Sequence, residues 1–227
     1  MSQLFKTIGV MRFSVLTPTY YNEKFDSLEK IAAHIYSDSR MALRFHIFEK
    51  LVLPSLAKQS DPDFNLVILS GQAMPEKHKK RLNDLIAPYT NMRVDYVDTE
   101  DHYQLLKKGF QSVPLEGATQ RLMFRLDDDD AVGIMFIERL KVIAEGLTNL
   151  MGDKVPQVIA FNRGFHVRIE PEGENEVFDT CERFPLSTGM ALLAPAEYPN
   201  NPYRYNHRNS GQHFNTYSDI EHPMYIR

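Results

Sequence analysis

Between Phe13 and Leu147 the chain alternates short apolar runs with amphipathic stretches, and this alternation limits the fold more than any other feature. The runs FSVLT (Phe13–Thr17), NLVILS (Asn65–Ser70), MRVDYV (Met92–Val97) and LMFRL (Leu122–Leu126) are rich in strand formers. Between them, Leu43–Leu56 carries apolar residues at spacings of three and four, with Pro54 expected to kink or end the helix. Pro75 opens a charged helix to about Ala87, Tyr103–Phe110 forms a weaker one, and Gly133–Leu147 carries a further apolar stripe. Strands alternating with helices of this length predict βαβ units: an α/β fold with a mostly parallel central sheet flanked by helices. Beyond Gly152 the texture changes. Gln157–Phe161 and Phe165–Ile169 read as strands joined by a tight turn at Asn162-Arg163-Gly164, Val177 follows a Glu/Pro/Gly-rich loop, and Met190–Ala194 is a last apolar strand. From Tyr198 to Arg227 there is no period, and the expectation is a loop or lid.

Length and charge narrow the classes. A chain of 227 residues suits one domain. Lys and Arg number 26 against 30 Asp and Glu, a net charge of −4, too mild for nucleic-acid binding. The longest stretch free of these charges, Phe184–Ala196, is shorter than the roughly 17–25 residues of a membrane-spanning helix. Contact with a membrane would therefore be peripheral. One cysteine, Cys181, and an opening MSQLFKTIGVMRF without the apolar region of a secretory signal predict a reducing, cytoplasmic setting.

Four consecutive aspartates, Asp127–Asp130, follow the fourth apolar run directly. In open α/β sheets ligands bind at the carboxyl ends of the strands, which is where this run falls. Like charges so close raise one another's pKa unless a cation neutralises them, and hard oxygen ligands suit Mg²⁺ or Mn²⁺. Mg²⁺ is usually shared between one or two carboxylates and a substrate phosphate, so the pattern points to a phosphorylated ligand such as a nucleotide. The plainer alternative is capping of the helix that begins near Gly133, but capping needs one Asp, not four.

An apolar strand followed by Asp-x-Asp resembles the GT-A glycosyltransferases, and LDDDD at Leu126–Asp130 is similar to the L-D-x-D-D of inverting members. A wider set of blocks resembles the rhamnosyl transferase family: RFS at Arg12–Ser14, LPSL at Leu53–Leu56 before a QSDPDF turn, FRLDDDDA at Phe124–Ala131 and FNRG at Phe161–Gly164. The resemblance implies a single GT-A-like unit, residues 12–150 forming the nucleotide half and 151–227 the acceptor half and tail. It implies a metal-dependent transfer of a sugar, rhamnose by the family's name, from a nucleoside diphosphate sugar to a hydroxyl on a saccharide or lipid-linked acceptor, as in bacterial polysaccharide or glycolipid synthesis.

Carried over residue by residue, Asp127 falls near the ribose and Asp129 on the metal, with Asp128 able to replace either and Asp130 beside the metal or toward the acceptor. TPTYYN at Thr17–Asn22 is similar to the loop that lines the nucleotide, with an extra tyrosine, so Thr17 and Tyr20 or Tyr21 are donor contacts. A leaving diphosphate gains negative charge, which arginine stabilises. Arg125 lies on the same strand face as Asp127, as does Arg121, and Arg12 and Arg163 come from the resembling blocks. Arg125 serves equally well as a partner of the aspartates. A catalytic base, which must take a proton from the acceptor hydroxyl, is sought in Asp179 and Glu182, then Asp219 and Glu221. A further metal ligand is sought in His213, then His207 and His222. The ending HPMYIR is short against the family, which implies a weakened or shortened enzyme. Thr188-Gly189 is either an acceptor-side turn or a simple β-turn.

Two other classes stay open. A sugar nucleotidyltransferase would carry a Gly-rich basic loop after its first strand, which TPTYYN is not. A binding module for a sugar or divalent ion would keep the acidic run and lose turnover.

Overall fold

The computed structural model describes residues 4–19, 21–170 and 172–227. Seven strands form the main sheet in the order β10-β6-β9-β4-β1-β2-β3: Asn215–Asp219, Gln157–Phe161, Ala191–Pro195, Gln120–Asp127, Phe5–Phe13, Asn65–Gly71 and Met92–Val97. Only β9 runs antiparallel to its neighbours. The mostly parallel sheet therefore stands as expected, with apolar clusters on both faces. Along β1 the side chains alternate: Ile8 and Val10 pack on one face, Met11 and Phe13 on the other.

The first strand lies earlier in the chain than its apolar content suggests. It runs Phe5–Phe13 and tolerates Lys6, Gly9 and Arg12 because it is an interior strand, paired in parallel with both β2 and β4. Ser14, with φ 51°, turns the backbone out of the sheet, so Val15–Thr17 is loop and not strand.

The stretch expected to break at Pro54 remains helical. It passes from α2 (Asp38–Ile47) through a π turn (Phe48–Val52) into α3 (Leu53–Ala57). The Leu53 N–H reaches Phe48 O across the wide turn, and Pro54, with no N–H to offer, follows at the start of the next segment. The remaining helices are α1 (Leu28–Ile35), α4 (Glu76–Ile86), α5 (His102–Gln111) and α6 (Phe136–Met151), the last starting three residues after Gly133.

The expected hairpin at Asn162–Gly164 does not form. Asn162 instead carries the chain from the main sheet into a second, smaller one, ordered β5-β11-β7-β8 (Ala131–Val132, Tyr225–Ile226, Arg163–Arg168, Glu176–Cys181). Gly164 there seats the Tyr225 ring: a Cβ would sit 2.5–2.6 Å from three ring atoms. That ring is buried, and its hydroxyl lies 3.0 Å from Thr180 Oγ1, so it has little room to shift. Gly164→Ala should cost about 1–3 kcal/mol in urea denaturation. An unchanged midpoint would mean that the ring is free to move.

The tail is not a loose lid. It contributes β10, which pairs in parallel with β6, and β11 of the second sheet, and Tyr198, Tyr203 and Phe214 pack on the core. Arg139 on α6 holds it through Asp219 at 2.5 Å and through Glu221. Those two acids are thus structural anchors. No helix among the described residues is long and apolar enough to cross a membrane.

Candidate functional site

The chain lays β1, β2 and β3 to one side and then returns to place β4 on the other side of β1, so the strand order reverses between β1 and β4. A crevice opens at such a point beyond the strand ends. Arg12 and Asp127 are register partners across it, and the two side chains form an ion pair. Asp127 is pushed up by burial, but Arg12, and then Arg125 and Arg227, pull it below the ordinary carboxylate range. Arg12 also donates to His102 Nε2 at 2.8 Å. Burial, reinforced by Arg12 and Arg125, drops His102 to about 4, so the ring is neutral and accepts.

Tyr203, from the tail, closes the same face. Its ring lies 4.1 Å from the Arg125 guanidinium and 5.6 Å from that of Arg12, and its hydroxyl donates to Val10 O at 3.1 Å. Arg125 and Asp127 do share a face, as strand alternation predicts. Arg121 shares it too, but lies up-strand, donating to Phe110 O at 3.0 Å.

The other aspartates diverge. Arg44, on α2, reaches Asp128 at 2.9 Å and Asp129 at 2.7 Å. Burial pushes Asp128 up to about 6, and 45% of the Asp129 side chain stays exposed. Asp130 turns away to accept from the Thr188 hydroxyl at 2.6 Å, and burial pushes it up to about 7. Thr188 is held there by a tight turn in which Gly189 adopts φ 69° with the Phe136 ring packed against it.

Two recesses flank the acidic run and share Asp127, Asp129 and Arg227 in their walls. The first, about 210 Å³, is mostly polar, with four arginines (Arg12, Arg40, Arg44, Arg227) against three aspartates. Its charge is 4 − 3 = +1, and higher when Asp128 is protonated. The buried Thr17 hydroxyl lines it and has no hydrogen-bond partner among the described residues. Tyr21, with φ 70°, contributes its hydroxyl, which accepts from Arg40 at 3.1 Å. Tyr20 lies outside the described residues. The second recess, about 490 Å³, contains Asp130 and mostly apolar wall.

Several expected site residues fall elsewhere. Arg163 and Asp179 pair with each other at 2.9 Å on exposed strands of the second sheet, each satisfying the other's charge. Glu182 sits 3.5 Å from His166. None of the three lines either recess. His213 stacks on Tyr205, ring centroids 3.7 Å apart, and His207 is engaged with Pro185 O. The set Asp129, Asp130 and His213 is therefore not assembled, and no group of three or more His, Cys, Asp or Glu among the described residues is arranged to hold a metal.

Conversely, Arg40, Arg44, His102, Tyr203 and Arg227 escaped the sequence reading. Arg40 and Arg44 sit four apart on a helix, a spacing no different from that of a solvated face.

The buried charge of Asp130 has a measurable consequence. A carboxyl raised in the folded state destabilises the fold once it must ionise, so the penalty grows as pH rises from about 4 through about 7. In EDTA at pH 8, Asp130→Asn should be more stable in urea by about 1–3 kcal/mol, the difference vanishing near pH 4. An equal or lower stability at pH 8 would mean that Arg227, at 3.8 Å, compensates the charge.

A crevice of this kind at the sheet's reversal point, with an acidic run after β4 and a second sheet behind it, has the architecture of a GT-A glycosyltransferase. The S. aureus TarS fragment 1–349 in complex with UDP-GlcNAc superposes with a TM-score of 0.51 at 12% identity, over 98% of this chain and 58% of that one. The longer S. aureus TarS structure gives a TM-score of 0.43 at 11% identity over 75% of this chain, which spans 23% of its length. A putative glucose-1-phosphate thymidylyltransferase from Bacillus anthracis gives a TM-score of 0.41 at 11% identity, over 96% and 88%. No curated protein matches in sequence. The sequence profile of the family described as putative rhamnosyl transferase matches residues 6–227, and the chain belongs to that family.

Proposed function

We propose that the protein transfers a sugar, rhamnose by family, from a nucleoside diphosphate donor whose diphosphate lies in the first recess, to a hydroxyl presented from the second. The observation that carries this reading is the cluster of arginines around the strand-end aspartates, beside the unpartnered Thr17 hydroxyl. A recess of about 210 Å³ is small beside the roughly 300–1,000 Å³ of ordinary ligand pockets, so it suits a diphosphate with part of its ribose. There Arg12, Arg40 and Arg44 would offset the charge that develops on the leaving diphosphate. Arg125, stacked on Tyr203, holds that face of the site in place.

The donor set also suits a divalent ion in one form. Asp129 is the open carboxylate, Asp127 stands at the same wall, and Mg²⁺ or Mn²⁺ would complete its shell with donor phosphate oxygens and water. Bound there, the ion would polarise the diphosphate. With no cage of three side chains, the metal should bind tightly only together with the nucleotide. Asp130, at the wall of the second recess, would take the proton of the acceptor hydroxyl.

Thermal shifts with a panel of nucleoside diphosphates and their sugars, with and without Mn²⁺, test this. Stabilisation is expected from nucleotide plus Mn²⁺ beyond either alone. No metal-dependent stabilisation by any nucleoside diphosphate would sink the proposal.

A further inference from the structure

Resting on that reading, we infer that the acceptor is an amphiphile, with an aliphatic or aromatic group adjoining the hydroxyl that receives the sugar, and not a free saccharide. The two recesses meet at Asp127 and Asp129, so a sugar leaving a diphosphate in the first must meet its acceptor in the second. The second recess, at about 490 Å³, is the larger and the more apolar, with Ile47, Leu51, Val167 and Ile169 in its wall. A free sugar, polar on every edge, would leave that wall without a match, whereas an alkyl or aryl group removes it from water.

The wall also continues out of the recess. Val167 is the register partner of Val177 on β8, and partners in a ladder share a sheet face. Val177 and Ile169 are each 62% exposed, forming an aliphatic strip that leads from the aspartates to the surface. At the inner end stand Asp130 and Arg227, able to hold a hydroxyl, while Lys50 and His46 lie at the α2 side. Polar groups at one end and an open apolar track at the other suit a molecule with the same division.

Calorimetric titration of the full chain with octyl β-glucoside, below its micelle concentration, against methyl β-glucoside tests this directly. Octyl is expected to bind about tenfold tighter or more. Ile169→Asp, at an exposed position, should abolish the octyl preference. Phe178→Asp, on the opposite face of the same strand pair, should retain it. Equal affinity for the two glycosides, no binding of either, or loss of the preference in both variants alike would overturn the inference. A nucleoside diphosphate titration run alongside separates the two readings. Octyl preference without nucleotide binding fails the donor assignment, whereas nucleotide binding without octyl preference fails this one.

Discussion

Arg12→Ala should weaken nucleoside diphosphate binding by about a hundredfold and cost about 2 kcal/mol of stability. The two losses have different origins. Removing Arg12 leaves Asp127 charged and largely buried with Arg125 and Arg227 to offset it only in part, and breaking a buried pair strands the remaining charge. The pair keeps some solvent contact, 18% and 26% of the two side chains, so the cost falls below that of a fully buried pair. The binding loss comes from a cation missing at the diphosphate, where charge-assisted hydrogen bonds are the strong ones. Replacing both partners, Arg12→Met with Asp127→Leu, should restore most of the stability and none of the binding. Urea denaturation and calorimetry measure the two effects separately. Recovery of binding in the double variant would mean that the pair serves only to hold the fold.

Asp129→Asn should abolish metal-dependent stabilisation by nucleotides and reduce transfer about 10²–10³-fold. Stability should change by under about 1 kcal/mol, because Asp129 is the most exposed of the four and its pairing with Arg44 is partly solvated. The contrast with Asp130→Asn, which should stabilise the unliganded protein at pH 8, separates an open carboxylate from a buried one within the same tetrad. Retention of the metal-dependent shift in Asp129→Asn would move the metal to Asp127 or Asp128.

The strand-helix alternation up to Leu147 was legible because each element carries its own period. β3 falls on Met92–Val97 as read, and α4 begins directly after Pro75. The misreadings cluster where neighbours override local pattern. Lys6 and Arg12 interrupt an apolar run, yet they lie in an interior strand because β2 and β4 supply its hydrogen bonds on both sides. The tail has no period since its strands are short and lie apart, β10 on the main sheet and β11 on the second, so neither sheet imprints a pattern on it.

For the site, the sequence by itself determined the place and the anions. An acidic run directly after an apolar strand must stand at a carboxyl edge of the sheet, and alternation puts Arg125 on the same face as Asp127. Those residues suggested a concentrated acidic centre in need of a cation, with arginines beside it on the same strand. Only the tertiary structure decided the sign of the site. It brings Arg12 from the neighbouring strand, Arg40 and Arg44 from a helix more than eighty residues upstream, and Arg227 from the tail, turning an acidic tetrad into a recess with more arginines than aspartates. It also separated the four aspartates into three environments, because a chain leaving a strand turns successive side chains toward different neighbours. Register, helix placement and burial are set by contacts between residues far apart in the chain, and the charge felt at a site depends on all of them at once.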